Sequence, residues 1–185
     1  MLYSDVMVGS LPLKQSDTVS LVCALLLRYP EIASMRSAPG EGTVRFSFAV
    51  QTRLDEQVQH AIIADIESHV AAFLLLFGQN GEVRIECESD RLFSFIHVTR
   101  DLDTFTKDEL AMLSKLFGER FGALLVRNGT TQQQHSADDA APHEDLVESA
   151  IDALRDSAQF KSLVGFWEGQ RVLVYFLKSQ KKTRP

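Results

Sequence analysis

The segment best equipped for chemistry is His97-Val-Thr-Arg100-Asp101-Leu-Asp103. An imidazole can act as acid or base near neutral pH, a guanidinium can hold a carboxylate or phosphate through paired N–H groups, and a neighbouring aspartate can orient either. The segment falls where a strand is expected to run into a helix, and the ends of strands are common places for ligand-binding groups. A solvated turn that pre-caps the following helix, with His97 as a hydrogen-bonded histidine at an interface, explains the same residues without a ligand. A second group is Trp167, Arg171 and Tyr175 near the C-terminus. Trp, Tyr and Arg dominate binding hot spots, so these three form a candidate recognition surface; self-contact within the fold is the favoured account and needs no partner.

Other chemistry is not encoded by pattern. No phosphate-binding GxxxxGK[ST], nucleophile GxSxG, zinc HExxH, EF-hand loop or CxxC is present. Gly40-Glu-Gly42 belongs to a hairpin turn, not to a strand-to-helix junction that could cradle phosphate. His60 and His69 are separated by more than two helical turns, and His135 and His143 sit in or beside a polar stretch, so the histidines give no metal-ligand spacing and no cofactor is expected.

Charge narrows the partners. Acidic side chains outnumber basic ones 25 to 19, a net charge of −6, which disfavours a general nucleic-acid or anionic-membrane surface. The basic cluster Lys178, Lys181, Lys182, Arg184 reads as a solvated tail. The N-terminal stretch lacks a basic n-region and an apolar h-region, and the longest uncharged apolar runs, 18–27 and 70–77, are too short to span a bilayer. Cys23 and Cys87 read as small core residues in a reducing compartment, so a cytoplasmic protein is expected.

The elements that must hold these residues follow from periodicity. Residues 17–29 form an apolar helix with Ser16 as its cap, ended by Pro30. A hairpin follows, 31–37 and 43–51, whose second strand alternates Val44, Phe46, Phe48 and Val50 with polar residues. A long helix from Leu54 carries Val58, Ile62, Ile66, Val70, Phe73 and Phe77 on one face and becomes apolar all round after Val70, so that end is expected to be buried. A second hairpin, 82–88 and 91–99, leads to a helix opened by the capping box Thr106-Lys-Asp-Glu109. Gly118 and Gly122 break that helix, and 123–127 make a short closing strand. Residues 128–142 lack hydrophobic periodicity and read as a linker. A helix carrying Leu146 to Leu154 and a hairpin, 160–166 and 171–178, close the chain. An additional strand is expected at 3–8.

Helix–strand–turn–strand thus occurs three times. The expected fold class is α+β: repeated helix–β-hairpin units with a ferredoxin-like antiparallel sheet packed against helices, plus a C-terminal αββ module. The domain division is 1–128 for the α+β sandwich, 129–142 for the linker, 143–178 for the module and 179–185 for the basic tail.

One pattern points to assembly. Leu92, Ile96 and Val98 are expected on one side of their strand, Phe93 and Phe95 on the other beside His97, and the last strand also has two apolar faces. A one-sided sheet keeps its far face polar. Burying two Phe side chains is worth roughly 3–6 kcal/mol, so a cover is expected, either the C-terminal module or a second copy of the chain. If Phe93 and Phe95 lie open to solvent, or point into the same interior as Ile96, the inference fails. The sequence therefore points to a non-catalytic protein-interaction or assembly protein forming a homodimer. The alternative is a small-ligand sensor or enzyme using the His97–Asp103 corner or a pocket between sheet and helices.

Overall fold

The computed structural model describes residues 13–129, 140–156 and 161–177. Its element order is α1 (Leu13–Arg28), β1 (Ser34–Ala38), β2 (Thr43–Val50), α2 (Glu56–Leu76), β3 (Val83–Ser89), β4 (Ser94–Asp101), α3 (Lys107–Phe121), α4 (Ala140–Arg155), β5 (Leu163–Glu168) and β6 (Arg171–Phe176). The fold is α+β. The strands form one six-stranded antiparallel sheet in the order β3-β4-β2-β1-β5-β6.

Each hairpin sits where composition puts it. Gly42 takes the left-handed conformation after the short 3-10 turn Pro39–Glu41, which lets the chain reverse into β2. On β2, Val44, Phe46, Phe48 and Val50 are buried on the helix-covered side, as the alternation predicts. Phe48 stacks on Phe117 of α3 with ring centroids 3.8 Å apart, and Phe46 packs on Phe105 at 5.1 Å. On β5, a Cβ at Gly165 would lie 3.0 Å from both Val22 and Leu26, so a larger residue would make the side chains of α1 give by a few tenths of an ångström. The Thr106 hydroxyl accepts from the Glu109 N–H and opens α3, as its capping box predicts.

Several expectations are corrected. Helix α1 starts at Leu13, so Ser16 lies inside it and is not its cap. Helix α3 runs through Gly118 and ends at Gly122, and the closing strand after it is a single bridge from Leu125 to Val50. Leu92 does not join Ile96 and Val98 in the core; it belongs to the β3–β4 turn and is exposed. The strand expected at 3–8 lies outside the described residues. The slot that a βαββαβ sandwich would give such a strand, between β3 and β2, is filled by β4. Helix α4 takes in the last three residues of the expected linker, and residues 130–139 lie outside the described ones. The C-terminal hairpin is no separate layer: β5 pairs with β1 from Ser34↔Phe166 to Ser37↔Leu163 and extends the same sheet.

The largest correction concerns α2. It lies along β3 and buries Ile62, Ile66, Val70 and Leu74. Its apolar C-terminal end is not enclosed: Leu75 and Leu76 are 82% and 83% exposed and Phe77 57%. The helix has the sheet on one side only, and nothing among the described residues packs on its outer side at that end.

Candidate functional site

Strand β4 carries the predicted corner, and its pleat splits it. Successive residues of a strand point to opposite faces. His97, Thr99 and Asp101 therefore lie on the face away from the helices, whereas Ile96, Val98 and Arg100 lie on the covered face. His97 and Arg100 do not meet.

Arg100 is fully buried, an uncommon place for a guanidinium. Every donor direction is used. Nε donates to Glu109 Oε1 at 2.6 Å and Nη2 to Glu109 Oε2 at 3.0 Å, a two-pronged pair with a carboxylate that is itself fully buried. Nη1 donates to the Glu82 carbonyl at 2.8 Å and to Asp101 Oδ1, and Nη2 also reaches the Thr104 hydroxyl. Burial pulls the Arg100 pKa down, but Glu109 and Asp101 outweigh it, and the group is held firmly charged. Burial pushes the Glu109 carboxyl up, while Arg100 pulls it back. Asp101 is spoken for as well. It accepts from the Glu82 and Thr104 N–H groups at 2.9 and 3.1 Å, and the Thr104 hydroxyl and Arg100 outweigh its partial burial to hold its carboxyl below the ordinary range. Gly81 closes the cluster: a Cβ there would lie 2.6–2.8 Å from Thr104 Oγ1 and both terminal nitrogens of Arg100. The cluster ties the start of β3, the end of β4 and the start of α3 together and has no open position for a ligand. The sequence marks Glu109 only as the end of the capping box Thr106-Lys-Asp-Glu109, not as the partner of a buried arginine, and Gly81 carries no pattern at all.

The open face is different. The imidazole Nδ1 of His97 lies 2.7 Å from the Ser47 hydroxyl on β2, and its Nε2 lies 3.9 Å from Glu88 on β3. Arg45 donates to Glu86 at 2.6 Å and to the Thr99 hydroxyl at 3.2 Å. Burial, and then the nearby Arg45 charge, lower the His97 pKa, although Glu88 and Glu86 oppose them. At neutral pH His97 is therefore a neutral bridge. Ser47, Ala49 and Thr99 are themselves buried under these longer neighbours.

Aromatic groups flank this polar centre. Toward the β3 edge, Phe95 lies level with Ala49, and Phe93 follows from the turn; they are 38% and 39% exposed. Toward the other edge, Phe166 stacks on Tyr175 at 5.9 Å, with Leu173 paired to Phe166. The last hairpin widens this face and does not cover it, so the C-terminal module is not the shield. Phe93 and Phe95 thus lie open to solvent, so the shielding expected from the sequence is absent within the chain and the assembly reading rests on a second copy to supply it. At about 25 cal/mol per Å2, their remaining exposure corresponds to roughly 1.5–2.5 kcal/mol each, at the lower end of the expectation.

The second predicted group also divides. Tyr175 and Arg171 lie on the open face or its rim. Trp167 shares the opposite side with Val172, and its ring lies 3.4 Å from where a Cβ of Gly129 would be. Its Nε1 is buried with no hydrogen-bond partner among the described residues.

Comparison with protein-family models, with curated proteins and with solved structures finds no match. Fold and side-chain chemistry therefore carry the functional reading alone.

One shallow depression is lined by Arg28, Tyr29, Lys107 and Asp108, another by Arg53, Asp55, Gln59 and Ser89, and neither includes His97 or Arg100.

Proposed function

We propose that this chain is a non-catalytic assembly protein whose uncovered sheet face closes against a second copy of itself. The observation that carries the reading is that face: a polar centre already paired within the chain, between two aromatic ends that no helix covers among the described residues. Six strands at about 4.8 Å spacing and five to eight residues in length give a footprint on the order of 600 Å2 per copy. That matches a standard-size interface. With a two-fold axis parallel to the strands, β4 of one copy lies over β5 of the other, so Phe95 meets Phe166 and Leu173. Aligned sandwiches of this kind cross at about −30°.

In this reading the sheet is three helix–hairpin units side by side, a widened relative of the ferredoxin-like sandwich. Free thiols at Cys23 and Cys87 suit a reducing, cytoplasmic setting.

The competing reading is an enzyme or small-ligand sensor, and what favours it is the line Ser47–His97–Glu88. A serine nucleophile also needs donors aimed at the developing oxyanion. Strands β2 and β4 are interior strands whose N–H groups are used by the ladder, and the site lies on a flat face. The assembly reading is therefore preferred.

Light scattering at tens of micromolar tests it. The native chain is expected to exceed the monomer mass, and Phe95→Glu with Tyr175→Glu is expected to break the sheet contact while thermal unfolding stays cooperative. A monomeric native chain, or an unchanged mass in the double variant, would overturn the reading.

A further inference from the structure

The outer side of α2 has a regular pattern that the sheet does not use. Gln57, Ala61, Ala64, Ser68, Ala71 and Leu75 follow one another at steps of four, three, four, three and four, and every one is exposed. At 100° per residue they form a straight stripe about 160° away from the buried stripe Ile62, Ile66, Val70, Leu74. Steps averaging 3.6 residues keep the stripe straight along the helix axis, as on a face that packs lengthwise on another helix. The stripe holds no charge and runs into the bare leucines at the end of the helix.

We infer that α2 is a second self-association surface, packing along this stripe against α2 of another copy, parallel and in register. Three features select that occupant. The first is shape: alanine and serine let two helix axes come as close as about 8 Å, and Leu75 then meets its own mate where the contact widens. The second is area. Leu75 on the stripe and Leu76 flanking it together expose on the order of 300 Å2 of apolar surface, a patch that a soluble chain rarely leaves uncovered unless something binds there. The third is charge. On one side of the stripe lie His60 and Glu67, and Glu67 has no ion pair among the described residues. On the other side lie His69 and the pair Asp65–Arg120. A parallel two-fold sets opposite sides together, so Glu67 comes beside His69 and Arg120 of the second copy. An antiparallel two-fold sets Glu67 beside Glu67, which is repulsive.

A lipid surface is the competitor, since by length and composition α2 is long and apolar enough to cross a membrane. Asp65 and Glu67 at mid-helix, on a chain of net charge −6, favour the protein partner. The stripe faces away from the sheet, so the two surfaces are independent. A chain with two self-complementary surfaces forms a closed tetramer when the two axes are perpendicular and a longer array otherwise.

The test uses the full chain. Leu75→Glu with Leu76→Glu, both at exposed positions, is expected to reduce the native assembly to the sheet-joined dimer. Phe95→Glu with Tyr175→Glu is expected to leave the α2-joined dimer, and all four changes together a monomer. If only the sheet contact fails, the first pair still halves the mass of whatever assembly remains. Ala61→Cys and Leu75→Cys, made separately, are each expected to give a disulfide-linked dimer under mild oxidation beyond the background of Cys23 and Cys87, because parallel register places each beside itself. An unchanged mass in the Leu75→Glu, Leu76→Glu chain overturns the inference. So does cross-linking only when the two cysteine variants are mixed, and so does sedimentation of the native chain with phosphatidylcholine vesicles that the glutamates abolish.

Discussion

Arg100 and His97 stand three residues apart on one strand and live under opposite rules. On the covered face, Arg100 is enclosed on every side and its charge is matched by Glu109 and Asp101. On the open face, His97 gives up its charge and bridges Ser47 and Glu88 at the edge of water. A buried ion can be held only if every donor has an acceptor, so the covered face is rigid and closed to ligands. A half-buried neutral group loses little when its neighbours shift, so the open face can adapt to a docking surface. Groups able to bind something lie where the structure is cheapest to rearrange.

The sharpest way to break this contrast is to empty the covered face. Arg100→Ala leaves Glu109 buried without a partner and is expected to lower stability by about 3–5 kcal/mol in urea unfolding. A loss below about 1 kcal/mol would mean that water enters the cluster and the two faces are not so different. A gentler probe is Gly81→Ala, whose methyl group would press on the Arg100 guanidinium; the expected loss is about 1–3 kcal/mol, read the same way. The smallest effects belong to the open face. Because the folded state holds the His97 pKa below its ordinary 6.5, the unfolded chain takes up protons first as pH falls. The His97 contribution is complete above pH 6.5 and declines as pH drops from there to the lower folded value. Subtracting the stability profile of His97→Gln from that of the native chain isolates it from Glu109, and the difference is expected to shrink toward acid. Ser47→Ala should cost about 0.5–1.5 kcal/mol at neutral pH. A cost equal to that of Arg100→Ala would erase the distinction.

Much of the architecture was legible. The alternation of Val44 to Val50, the cap at Thr106 and the apolar stripe of α2 each follow from local spacing, and local spacing survives folding. Strand order was not legible, because which edge β5 joins depends on contacts between residues about 130 positions apart. The split of the His97–Arg100 corner was legible in principle: 97 and 100 differ in parity, so any continuous strand must send them to opposite faces. Composition hid it, since an arginine beside two aspartates reads as a surface turn, and no sequence rule announces a buried arginine. The bare end of α2 misled for the opposite reason. A run of leucines reads as interior, but whether a helix has a neighbour on its second side is decided by the rest of the fold.

The pairing of β1 with β5 also sets a timetable. Strand β1 is made early and has β2 on one side at once, but its other edge has no mate until Leu163–Glu168 leave the ribosome. Until then the nascent chain carries an unsaturated strand, a template that a neighbouring nascent copy can join. Truncation ahead of β5 should therefore yield an aggregating fragment, not a smaller soluble protein.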